Sequence, residues 1–415
     1  MNFKTLFSHF VTLAFGEFAS KAFGFLTMVY LARVLGADAF GFIGFVGAIS
    51  AYAVLFSNFG IEQYASQMLS ADTSKVPEQL IGTVLRTRFI LSVVLLIPFV
   101  VFGFVYSGTT SEFRYFIFQS IFILAFAFNL QFYFVAVKRI TMLTAIKTVT
   151  AICILLGSVL FVKSSVDLSL VSLITGIVTL AVFFLGIIFI VKKEHYRFPV
   201  FSFDGVIPLL KNAAPLGVSS LMIQIYYSAD IVFLGFTNPG IDLGYYSGAY
   251  RIILILTTIP GLIYLIFLPD LAKITSGYFK SITTRSYITI LICSGCILTA
   301  VSYIWAEEII GFILGPTYLP AAGVLKILLL NVFMVFINVS LGNLLIAWNK
   351  HHKYLIVVTW GAVTNIVANG LLIPRYGIYG AAVSTILSEC AVFAAAMYYH
   401  YSLFGLFNST AGGQK

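Results

Sequence analysis

Residues 354–401 read YLIVVTWGAVTNIVANGLLIPRYGIYGAAVSTILSECAVFAAAMYYHY. Two apolar runs, Tyr354–Ile373 and Tyr379–Tyr401, are separated only by Pro-Arg-Tyr-Gly-Ile. A hydrocarbon core about 30 Å thick is crossed by roughly 20 apolar residues in a helix, so each run is long enough to span it. Pro374 ends the first helix because proline removes a backbone bond, and the glycines that follow turn the chain directly into the second. The stretch is therefore a pair of crossings joined by a tight turn.

Outward from this stretch the pattern recurs. Further spans lie near Phe10–Leu31, Gly41–Met68, Val84–Tyr106, Phe116–Val137, Ala145–Val162, Leu168–Val191, Leu209–Phe236, Tyr245–Leu268, Ile288–Ala306 and Val324–Trp348, about twelve in all. Hydrophobic residues make up 60% of the 415 and charged ones 9%, with a mean hydropathy of +1.03. Soluble domains carry about 25% charge. The expected fold is an all-α membrane protein.

The net charge of +9 reflects topology rather than a nucleic-acid partner. Seventeen of the 24 Lys and Arg residues fall on one side of these spans, among them Lys75, Arg86, Arg88, Lys192 and Lys211. Six fall on the other (Arg33, Arg114, Lys163, Arg251, Lys326, Arg375), and Lys21 is mid-membrane. Short loops rich in Lys and Arg stay cytoplasmic, so both termini are expected inside. The first span reads as retained, because Glu17 and Lys21 interrupt it and no small-x-small cleavage site follows. All four cysteines fall within spans, and Cys293-x-x-Cys296 reads as small residues on a helix face.

The longest cytoplasmic connection, about residues 192–211, divides the spans six and six. The expected organisation is an N-lobe over 1–197 and a C-lobe over 198–415. The halves echo each other: Leu35-Gly36-Ala37-Asp38-Ala39-Phe40-Gly41 in one answers Pro239-Gly240-Ile241-Asp242-Leu243-Gly244 in the other. A six-span repeat keeps its orientation, so the halves would be related by an axis along the membrane normal.

There is no Gly-x-x-x-x-Gly-Lys-[Ser/Thr], no His-Glu-x-x-His, and no soluble stretch large enough for an ATPase domain. No metal or organic cofactor is expected, and transport without ATP hydrolysis by this chain is the surviving class. A charge at the bilayer centre costs about 2.5–3.5 kcal/mol and faces a partner or water, so the buried polar groups carry the function. Glu17 and Lys21 share a helix face; they form a structural ion pair, or Lys21 holds an anion while Glu17 carries a coupling proton. Asp230 and Arg251 are read at similar depth on adjacent helices, as a pair or as substrate and coupling groups. Glu62, near the inner end of the second span, is a coupling or ion-pair candidate or an interfacial residue. Glu389 stands alone in the last span and reads chiefly as a neutral packed acid. Asn331, Asn338, Asn365 and Asn369 are interhelical amide bonds or contacts to sugar hydroxyls.

Four segments resemble the polysaccharide repeat-unit flippases (Wzx type, O-antigen translocases) of the MATE-like multidrug/oligosaccharidyl-lipid/polysaccharide exporter superfamily. They are Ala32-Arg33-Val34-Leu35-Gly36 with Phe40-Gly41; Ser57-Asn58-Phe59-Gly60-Ile61-Glu62; Tyr245 to Arg251 through Leu268-Pro269; and Asn365, Asn369 with Pro374 to Ala382. The last is the most specific, and in order they cover almost the whole chain. The resemblance implies a two-lobed, V-shaped helical transporter moving an undecaprenyl-pyrophosphate-linked oligosaccharide from the cytoplasmic to the periplasmic leaflet of a bacterial inner membrane. It further implies coupling to a proton or sodium gradient, a monomeric state, and contact with a polysaccharide polymerase and chain-length regulator. Related lipid II flippases have a basic residue matched here by Arg251 and use basic residues in the first helix, where Lys21 lies in a local sequence that departs from theirs. Lys21, Arg33 and Arg251 are thus the expected pyrophosphate ligands, with Glu17, Asp230 and Glu62 as coupling or ion-pair candidates. The alternative is a cation-coupled multidrug exporter on the same architecture, which requires an acidic, aromatic cavity. A membrane enzyme would carry a large outer catalytic loop, and the outer loops are short.

Overall fold

A computed structural model describes residues 3–71, 78–193, 205–274 and 279–404, without the side chains of 3–15, 17, 71, 78, 193 and 404. Every regular element in those residues is helical. In order they are α1 (Phe3–Asn58), α2 (Ile61–Ala71), α3 (Glu78–Tyr106), α4 (Thr110–Phe126), α5 (Gln131–Ala136), α6 (Ile140–Phe161) and α7 (Leu168–Lys193). Then come α8 (Val206–Thr237), α9 (Ile241–Leu256), α10 (Ile259–Leu271), α11 (Ile282–Ile304), α12 (Ala306–Ile313), α13 (Ala321–Ala347) and α14 (His351–Phe404).

Ten helical stretches among the described residues are long and apolar enough to cross a membrane. Two run 41 and 53 residues; at 1.5 Å per residue a straight helix of that length is about 60 Å or more, twice the hydrocarbon core. Both are broken at a left-handed glycine, Gly36 (φ 80°) in α1 and Gly377 (φ 54°) in α14. Each therefore supplies two crossings, which brings the ten to the twelve expected. Glycine is needed because a Cβ makes that conformation costly. The repeated motif has the same basis, since Gly240 in the second copy is also left-handed, at φ 94°.

Three expected spans are interrupted. The second ends at Asn58, turns through Phe59 (φ 20°) and Gly60 (φ 78°), and resumes as α2. The fourth breaks between α4 and α5. The eighth breaks between α9 and α10, where Pro260 supplies no N–H; Thr257 and Thr258 turn their hydroxyls back on the Leu254 and Ile255 carbonyls, at 3.1 and 2.7 Å.

The chain divides into two compact units, residues 1–36 with 46–221, and residues 37–45 with 222–415. In the first, α4 packs along α7, and Ile61, Ala65, Val84, Phe132 and Phe134 centre a buried cluster. On α3 the residues Val94, Ile97, Val101 and Phe104 are exposed at helical spacing, while Arg88, Ser92 and Phe99 are buried. An apolar exposed stripe over a polar buried one is the pattern of a helix facing lipid.

Arg88 is the largest fully buried side chain among the described residues, at 1% exposure. Among the charges that the sequence places on the inner side of the spans, it is one that turns into the protein. Its guanidinium donates to Asn58 Oδ1 at 2.5 Å and to the Asn129 carbonyl at 2.9 Å, and pairs with Glu62 at 3.3 Å. Asn58 and Asn129 lie at the two helix breaks of this unit, and their side chains accept from the Glu62 and Gln131 amides at 3.1 and 2.9 Å. One arginine thus satisfies oxygens at both breaks that the bilayer offers no water to solvate.

In the second unit α13 packs along α14 and α11. The echoing turns meet there backbone to backbone. A Cβ on Gly41 would lie 2.5 Å from the Gly244 nitrogen, and one on Gly244 would lie 1.8 Å from the Ala37 carbonyl oxygen. Small residues let membrane helices approach this closely.

Candidate functional site

The second unit holds a cavity of about 120 Å³ lined by residues of α8, α9, α13 and α14. Its polar lining includes Tyr226, Tyr227, Tyr250, Asn331, Asn338 and Glu389. Among the described residues, no Lys, Arg, His or Asp lines it.

Small residues position the site. Gly361 leaves room for Tyr226, since a Cβ there would lie 3.0 Å from the Tyr226 ring, and Ser388 donates to the Gly361 carbonyl at 2.8 Å across the break in α14. Glu389, one residue on, is therefore held against α8 and α13 and is only 3% exposed. Its Oε1 accepts from the Tyr226 hydroxyl, and its Oε2 and its own carbonyl both accept from Asn338 Nδ2. Asn338 Oδ1 and Asn331 Oδ1 are buried without a hydrogen-bond partner. A donor that enters, such as water or a hydroxyl, therefore finds acceptors waiting.

Asp230 lies one turn beyond Tyr226 on α8 and is 1% exposed. Its Oδ2 accepts from the Tyr246 hydroxyl, and its Oδ1 has no hydrogen-bond partner. The Tyr246 ring stacks on Tyr250 at 5.8 Å, and the Tyr250 hydroxyl donates to the Tyr227 carbonyl at 2.9 Å, which links Asp230 to the cavity wall. Of the two readings of Asp230 and Arg251, the mutual pair is not found among the contacts of Asp230. Arg251 is exposed on α9, and Asp230 turns inward to tyrosine.

The other candidates are dispersed. Lys21 and Arg33 are exposed on α1. The Glu17 side chain lies outside the described residues. Glu62 belongs to the Arg88 cluster of the first unit. Asn365 and Asn369 are fully buried, and Asn369 Nδ2 donates to Asn365 Oδ1 at 2.9 Å. Of the four asparagines only Asn331 and Asn338 reach the cavity. Glu389 was legible as an isolated acid in an apolar span, but its partners lie 163 and 51 residues away and no local pattern announces them. Cys293 and Cys296 are free thiols exposed on α11.

Comparison with known proteins places this geometry in a family. Residues 7–275 match the model of a family described as polysaccharide biosynthesis protein. A protein of Escherichia coli strain K12 named "Putative O-antigen transporter" is 21% identical over 381 residues, covering 88% of this chain and 90% of that one. Among solved structures, the lipid II flippase MurJ in an inward closed conformation superposes with a TM-score of 0.75 at 15% identity, over 95% of this chain and 87% of that one. An inward-facing multidrug resistance MATE family transporter of the MOP superfamily gives 0.70 at 12% identity, over 94% and 96%. At such identities the likeness establishes the fold, which is that of the MATE-like transporters. The family match spans well over half of the sequence, and the chain belongs to the polysaccharide biosynthesis protein family.

Proposed function

We propose that the protein is a flippase for lipid-linked oligosaccharide in a bacterial inner membrane, with both termini cytoplasmic, and that it carries undecaprenyl-pyrophosphate-linked repeat units to the periplasmic leaflet. The observation that carries the reading is the family match over residues 7–275 on a membrane transporter fold. The relative named for O-antigen transport supports the substrate class. Such a substrate joins an anionic, sugar-rich head to a polyprenyl tail. Lys21, Arg33 and Arg251 are exposed basic side chains on transmembrane helices and are assigned to the pyrophosphate. Asn331 and Asn338, with spare buried acceptors, are assigned to sugar hydroxyls, whereas Asn365 and Asn369 bond each other. Alternating access needs no ATP; the driving force is assigned to a proton or sodium gradient, with Asp230 and Glu17 as coupling groups. The chain works as a monomer alongside the polymerase and chain-length regulator.

The multidrug alternative calls for an acidic, aromatic cavity, and the cavity around Glu389 has that composition. The family match and the relative named for O-antigen transport support the oligosaccharide reading instead. Replacing Lys21 or Arg251 by Ala in a strain that relies on this gene is expected to abolish surface polysaccharide while membrane protein levels stay unchanged. Normal polysaccharide in both variants removes the role assigned to the charges.

A further inference from the structure

Glu389 is a buried acid with no cationic partner among the described residues. Tyr226 and Asn338 are its hydrogen-bond partners, both neutral donors, and its carboxyl borders a cavity with room for several waters. The titratable groups facing it are Tyr226 and Tyr227 on α8, Tyr250 on α9 and Tyr354 on the first half of α14, while the polar residues from α13 are asparagines. Charged groups beyond that shell on these elements include Asp230, one turn along α8 and bonded to Tyr246, the exposed Arg251 beside Tyr250, and Lys353 beside Tyr354. A carboxylate left in such a place is costly, whereas the neutral acid is not.

The orphan acceptors say which ligand the cavity takes. Asn331 and Asn338 are seven residues apart on α13, so their side chains leave the helix about 10 Å apart along its axis. One metal ion cannot be coordinated by both at once, and no group of three or more His, Cys, Asp or Glu side chains fit to hold a metal occurs among the described residues. Acceptors spaced in this way suit a file of waters. The neutral acid also has an acceptor at hand. When Oε2 gains a proton it becomes a donor, and a half-turn of the Asn338 amide replaces Nδ2 with Oδ1, the atom now lacking a partner.

We propose that Glu389 is a proton-binding site served by water in this cavity, and that its protonation resets the contact joining α13 to the second half of α14. A hydronium ion in the cavity gives its proton to Oε2 and is left as water. Asn338 Nδ2 then releases Oε2 and the Glu389 carbonyl, and Asn338 Oδ1 accepts the new O–H. Coupling this step to transport rests on the flippase reading; the proton site itself does not.

Infrared difference spectra of the full-length protein in lipid, recorded against pH and exchanged into D₂O, test it. The wild type is expected to show a buried protonated-carboxyl band that disappears reversibly as pH rises. Glu389→Gln, nearly isosteric, loses that band. Tyr226→Phe, which keeps the acid and removes one donor, shifts its titration midpoint. Asp230→Asn retains it. An unchanged band in Glu389→Gln, a band indifferent to pH, or loss of the band on adding sodium chloride at fixed pH overturns the proposal. Because no substrate is involved, these outcomes are independent of the polysaccharide phenotype.

Discussion

Replacing Arg88 by alanine is expected to destabilise the protein by about 3–5 kcal/mol, the cost of leaving one partner of a buried ion pair uncompensated. Three acceptors lose their donor together: Glu62 Oε2, Asn58 Oδ1 and the Asn129 carbonyl. The last two sit at helix breaks, where an unmade hydrogen bond is costly. The paired change Arg88→Met with Glu62→Gln removes both charges and keeps the volume, and should recover a good part of the loss. Thermal unfolding of the detergent-solubilised variants gives the comparison. Equal unfolding temperatures for Arg88→Ala and wild type would show that the cluster does not hold these breaks.

The second large effect belongs to Gly244. A Cβ there lies 1.8 Å from the Ala37 oxygen and 2.4 Å from its carbon. Overpacking against side chains typically costs about 1–3 kcal/mol; here the obstacle is backbone, which cannot rotate away, so the cost of Gly244→Ala falls at the upper end. Gly261 is the control, because a Cβ there meets nothing within 4 Å. Gly261→Ala is expected to be neutral or stabilising by up to about 1 kcal/mol through helix propensity. The same unfolding assay separates them. Similar behaviour of the two variants would contradict the close approach of the repeated turns.

What was legible in the sequence follows from the range of each signal. Apolar length and a glycine after a proline are local, so the paired crossings around Pro374 and Gly377 could be read directly, and so could the repeat whose Gly36 and Gly240 share a left-handed backbone. Partners distant in sequence could not. Arg88 sits near the polar margin of its span, where a charge that snorkels to the surface and one that turns inward look alike. Only Asn58 and Asn129, 30 and 41 residues away, decide between them. Asp230 and Arg251 looked paired because both flank one turn, yet the helix directs one inward to Tyr246 and leaves the other exposed. The broken fourth and eighth spans were hidden by unbroken hydropathy, since side-chain polarity says little about where the backbone bonds lapse.

The central claim is that this chain moves a phosphorylated, sugar-bearing lipid head across a bilayer. Reconstitution tests it most directly: vesicles containing the purified protein and a labelled undecaprenyl-pyrophosphate-linked oligosaccharide confined to the inner leaflet, with the exposed fraction read by a membrane-impermeant glycosidase. The fraction cleaved is expected to rise with time well above that of protein-free vesicles, and to do so less in Lys21→Ala and Arg251→Ala. Cleavage no faster than in protein-free vesicles, from protein shown to be folded, would contradict the account.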